Sequence, residues 1–141
     1  MNFAGMLKKK LADGNMGHLI IYELALLALC AAYIQGPLVK IFDFGGAVAE
    51  MAAFGLQPAP VFAVTVVIFE LTMSALVVIG FLRWGGALAL AIFTLMATGL
   101  ALRFWEVPQG LQRVSEMNAF FEHLGLVGAF VMVALRDFSS R

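Results

Sequence analysis

The sequence predicts an all-α integral membrane protein, a four-helix bundle with a short amphipathic interfacial helix between its first and second spans. Two observations carry this expectation. Of 141 residues, 62% are apolar and only 13% charged, and mean hydropathy is +0.96. Soluble domains hold about 45–50% apolar and about 25% charged residues. A water-soluble chain of this size cannot bury that much apolar surface, so lipid is the expected solvent. The second observation is the stretch from Pro58 to Leu82, about 25 residues with a single charge, Glu70, near its middle. At ~1.5 Å of rise per residue it crosses a ~30 Å hydrocarbon core with some tilt.

Taken in order, residues 1–17 are partly polar, carry Lys8, Lys9 and Lys10, and read as a cytoplasmic tail. The first span follows at about 18–36, interrupted by Glu23. Its length, Glu23 and the lack of a nearby small-residue cleavage site favour a retained span over a signal peptide. Gly36-Pro37 is expected to end or kink it, because proline has no N–H and clashes with the preceding turn. Asp43 is placed to cap a helix over about 43–54, with Phe44, Val48, Met51 and Phe54 at helical spacing. Twelve residues are too few to cross a bilayer, so this helix belongs in the interface.

Gly55 closes that helix, and Pro58 and Pro60 open the second span, about 58–82. Arg83-Trp84-Gly85-Gly86 reads as a tight turn, which makes the second and third spans antiparallel neighbours. The third span, about 86–103, is uncharged until Arg103-Phe104-Trp105 marks an interface. Residues 106–117 read as a polar loop, and the fourth span as about 118–135. Four spans put both termini on one side. That side holds Lys8, Lys9, Lys10, Arg83, Arg136 and Arg141 against Lys40, Arg103 and Arg113 on the other, which makes it the cytoplasmic one.

Composition also excludes. Zero net charge argues against nucleic acid as a partner. One cysteine, Cys30, excludes an intrachain disulfide, a CxxC pair and a multi-thiolate metal site. His18 and His123 belong near opposite faces and cannot share an ion, so no metal is expected. No GxGxxG, P-loop, HExxH or nucleophile-elbow pattern occurs. What remains are a few polar groups inside lipid. An ionised carboxylate at mid-depth costs about 2.5–3.5 kcal/mol on insertion scales, so Glu70 is the first candidate for ligand or proton binding. Glu23, one to two turns from the cytoplasmic end, is the next; snorkelling to the interface satisfies it cheaply. Glu122, His123, Arg103 and Lys40 are expected near the outer face as one polar pocket, against the plainer alternative of an Arg103–Glu122 surface pair. Gly125 with Ala129, and Ala87 with Ala91, are small-residue pairs that allow close helix contact within the bundle or with a partner.

An ordered series of segments resembles the DoxX family of small four-helix membrane proteins. It runs from Gly36-Pro-Leu-Val-Lys40-Ile-Phe-Asp43 through Ala53-Phe-Gly55-Leu-Gln-Pro58-Ala-Pro60 and Glu70 to Ile79-Gly80-Phe-Leu-Arg83 and Phe120-Phe-Glu-His-Leu-Gly-Leu126. The chain departs from the family pattern at Glu23 and Leu26, where an early arginine is common, and at Glu122-His123, where Lys-Asn is common. The resemblance implies the four-helix fold, an inner-membrane location and a redox setting, as in the membrane subunits of quinone-linked oxidoreductases such as thiosulfate:quinone oxidoreductase. The expected role is therefore a membrane subunit that anchors another protein subunit, or self-associates, and binds quinone in the outer half of the bundle. A structural assembly subunit and a small proton-coupled transporter are the alternatives.

Overall fold

A computed structural model describes Gly5, Lys8, Lys9, Gly14 and residues 16–140. Most of the expected tail therefore lies outside the described residues. The described chain is all-helical: α1 (Met16–Phe42), α2 (Phe44–Ala53), α3 (Ala59–Ile79), α4 (Arg83–Ala101), a 3₁₀ turn (Phe104–Glu106) and α5 (Leu111–Ser139). Four segments are long and apolar enough to cross a membrane: α1, α3, α4 with its 3₁₀ extension, and α5. The integral membrane four-helix bundle expected from the sequence is what the chain forms.

Three boundaries differ from expectation. The first helix does not end at Gly36-Pro37 but runs on to Phe42 with Pro37 buried inside it. Proline removes one backbone donor, and a membrane helix tolerates this when neighbouring helices pack against the site. The turn after the second span is Gly80–Leu82, because α4 already begins at Arg83. The last helix begins at Leu111, so most of the expected 106–117 loop is helical and Glu122 lies well inside α5. Its polar first turns, Gln112 to Glu116, are held by an i,i+4 side-chain bond of 3.0 Å.

The helices form a ring in the order α1, α3, α4, α5, with α2 laid against α3 and α1. Asp43 caps α2 as expected, accepting from the Gly46 N–H at 2.9 Å. The inward residues of α2 are Ala47 and Met51, packed on Ala59 and Ala63 of α3; Phe44 points outward, 41% exposed. The main core joins Leu26, Cys30 and Tyr33 of α1 to Val77 of α3, to Ala87, Leu90 and Ala91 of α4, and to Phe130 and Ala134 of α5. Ala87 and Ala91, the small pair noted in the sequence, are fully packed and let α4 approach its neighbours closely. Between α5 and α1 the ring is closed by the Tyr33–Phe130 edge contact, 5.3 Å between centroids. Outside the bundle, large side chains such as Ile21, Ile68, Ile92 and Met132 remain exposed, as a protein in hydrocarbon requires.

Aromatic residues mark both ends. Phe104, Trp105 and Phe120 stack edge-on at the loop end, and Trp84 meets Phe138 at the end that carries the termini. These are the two belts that amphipathic rings form at headgroup depth.

Candidate functional site

The polar groups divide into three places: the end that carries the termini, the bundle interior, and the loop end. At the first, Glu23 does not snorkel alone. Both of its carboxyl oxygens accept from Arg83 Nη2, at 3.1 and 3.2 Å. The same guanidinium donates from Nε to the Val77 carbonyl at 2.7 Å, so one side chain caps the C-terminus of α3 and ties it to α1. Gly80 makes this possible. It sits in the left-handed region, φ +86°, and a Cβ there would meet Arg83 Nη2 at 3.1 Å. Asp137 of α5 accepts from the Trp84 N–H at 3.1 Å and so caps the start of α4.

The interior is different. Glu70 is 8% exposed, in the middle of α3, and its Oε2 is buried with no hydrogen-bond partner among the described residues. One turn further, Ser74 Oγ is likewise buried, with only the Cys30 thiol beside it. Leaving a buried acceptor unmade costs about 1–3 kcal/mol, and natural proteins carry few such groups. Around these two atoms the other interior polar groups are satisfied. Tyr33 Oη and Thr94 Oγ1 are hydrogen-bonded, and Thr94 and Thr98 also donate to the carbonyls one turn back, each at 2.6 Å. Thr98 Oγ1 meets His123 Nδ1 at 2.8 Å. With the threonine proton directed at the Thr94 carbonyl, Nδ1–H is the donor to the threonine oxygen.

Lys40, near the end of α1, pairs with Glu50 of α2 at 3.3 Å, and both lie within electrostatic reach of Glu70. Lys40 also lines a cleft of about 230 Å³ with Ile41, Phe44, Val64, Val67 and Ile68. The cleft is apolar except for the ammonium, opens between α1, α2 and α3, and has Glu70 one helical turn beyond Val66 and Val67 on α3.

Of the residues singled out by sequence, Lys40 and Glu70 are thus brought near one another. The expected outer pocket of Glu122, His123, Arg103 and Lys40 is not assembled. Arg103 pairs with Glu106, 3.2 Å, both half-exposed, so the Arg103–Glu122 pair does not form either. Glu122 points outward while its neighbour His123 turns inward to Thr98; adjacent residues on a helix are about 100° apart and cannot share a partner. Sequence reasoning missed Glu50, Tyr33, Ser74, Thr94 and Thr98. The spacing of Thr94 and Thr98, one turn apart in an otherwise apolar span, is the signal that was available for the last two.

Comparison with known proteins agrees with this architecture. A family model described as DoxX matches residues 24–105. The chain is similar to the protein named "Inner membrane protein YphA" of Escherichia coli (strain K12), with 23% identity over 116 residues, covering 82% of each chain. No solved structure matches. The matched segment runs from the first span through the Trp105 belt and includes Lys40, Glu50, Glu70 and Arg83, and the chain belongs to the DoxX family.

Proposed function

We propose that this chain is an inner-membrane subunit of a quinone-linked redox assembly, and that it holds the quinone headgroup between Lys40 and Glu70. The observation that supports the reading is the cleft lined by Lys40, together with the buried Glu70 carboxyl within electrostatic reach of that lysine. The residues suit such a guest. An ammonium donates to a carbonyl oxygen, an unpartnered carboxyl holds or gives a proton, and Val64, Val67 and Ile68 offer an apolar wall to an isoprenoid tail. A bound quinone supplies two-electron chemistry coupled to protons. In this reading Lys40 orients the headgroup, Glu70 handles a proton in a site shielded from bulk water, and Glu50 holds Lys40 between turnovers. The electrons belong to a partner subunit. The inner-membrane location rests on the relative's printed name and on the four apolar helices. In this reading both termini face the cytoplasm, which the excess of cations at that end supports.

The test is photolabelling in liposomes with an azido-quinone analogue. Crosslinks are expected on Ile41, Phe44 or Val64–Ile68, and Lys40→Gln is expected to weaken them several-fold. Labelling that ignores Lys40→Gln, or that falls evenly over the lipid-facing surface, defeats the reading. The assembly-subunit alternative is favoured by the fully bonded cluster at the end that carries the termini. It predicts that Glu70→Gln and His123→Ala leave the partner's activity intact.

A further inference from the structure

A second cleft, of about 480 Å³, runs between α1 and α5 toward the end that carries the termini. It is lined by Tyr22, Ala25 and Leu29 on one side and Ala129, Met132 and Arg136 on the other. Below the Tyr33–Phe130 contact the two helices part, and two alanines leave the floor of the trough low. Everything along it is apolar until Arg136. That guanidinium lies over the Tyr22 ring, 4.3 Å from its centroid. Arg83 reaches the same ring at 5.5 Å, but its charge is already matched by Glu23. Arg136 makes no ion pair among the described residues. Among the described residues it is therefore an oriented cation without a carboxylate partner, at the mouth of an apolar trough.

We propose that this trough is a binding site for an anionic phospholipid, with one acyl chain along Ala25, Leu29, Ala129 and Met132 and the phosphate at Arg136. Charge complementarity and depth argue for it. The trough ends at the belt marked by Trp84 and Phe138, where headgroups lie, and basic side chains at that depth attract anionic lipid. A tyrosine ring that holds the guanidinium in place lowers the cost of ordering it on binding. The site is distinct from the Lys40 cleft and does not depend on the redox reading.

Native mass spectrometry of the purified full chain, offered equal amounts of phosphatidylglycerol and phosphatidylethanolamine, tests the proposal. Retention of phosphatidylglycerol over phosphatidylethanolamine by about fivefold is expected, the ratio that ~1 kcal/mol per cation near an anionic surface implies. Arg136→Gln is expected to abolish the preference without altering thermal unfolding, and Tyr22→Leu to reduce it. A double change at Lys8 and Lys9 should leave most of it. Equal retention of the two lipids overturns the proposal, as does a preference that survives Arg136→Gln or vanishes with the lysines. Cysteine crosslinking between two copies through Ala129→Cys, in place of lipid retention, overturns it in favour of a helix interface.

Discussion

The end that carries the termini and the middle of the bundle treat charged groups in opposite ways. At the former, the groups that join the helices are paired: Arg83 is shared between Glu23 and the Val77 carbonyl, and Asp137 takes the Trp84 N–H. In the middle, Glu70 Oε2 is sealed from solvent with no hydrogen-bond partner among the described residues, and Ser74 Oγ is buried with only the Cys30 thiol beside it. A satisfied network fixes geometry; an unsatisfied one keeps a place for something to arrive. The contrast teaches that a charge inside a membrane protein is not by itself a functional group. Glu23 and Glu70 are both carboxylates in apolar spans, and their surroundings give them different work.

That contrast can be broken by measurement. The heaviest loss should come from the close packing of α4 against α3. A Cβ on Gly86 would stand 2.9 Å from the Met73 carbonyl oxygen and 3.0 Å from Leu76 Cβ, so Gly86→Val should cost about 3 kcal/mol of thermal stability in detergent. Arg83→Gln should cost about 2 kcal/mol, because it strands both a carboxylate and helix-end carbonyls. Glu23→Gln should cost less, since the caps survive; equal losses for the two would show that the capping bonds contribute nothing. Thr98→Val should cost about 0.6 kcal/mol, the usual worth of a hydrogen bond between membrane helices, and should shift the nitrogen resonances of His123 toward a mixture of tautomers. Smallest of all, Glu70→Gln should change stability by no more than about 0.5 kcal/mol while abolishing quinone-dependent labelling. If Glu70→Gln instead unfolds the protein as readily as Arg83→Gln, the interior carboxyl is a structural group and the contrast disappears.

Much of the architecture was legible in the sequence because it depends on local quantities. Span length, the Asp43 cap, the aromatic belts and the closeness of the second and third spans follow from hydropathy, residue chemistry and a three-residue turn. Pro37 misled because its local effect, loss of one donor, is real but is outweighed by packing around it. The fourth span began earlier than expected because Leu111 to Met117 is amphipathic rather than apolar, and hydropathy alone reads such a turn as loop. The polar pocket expected at the outer face failed for a geometric reason: Glu122 and His123 are adjacent in sequence and so diverge on the helix.

From composition and spacing alone came the solvent, the number of spans and the prominence of Glu70, since each is set by how much of a segment tolerates hydrocarbon. Tertiary structure alone decided which carboxyl is paired. Arg83 and Glu23 stand 60 positions apart, Trp84 and Asp137 stand 53 apart, and no local pattern says which helix will lie opposite. Partnership in lipid is a property of the ring order of helices, and that order is fixed only when all four pack.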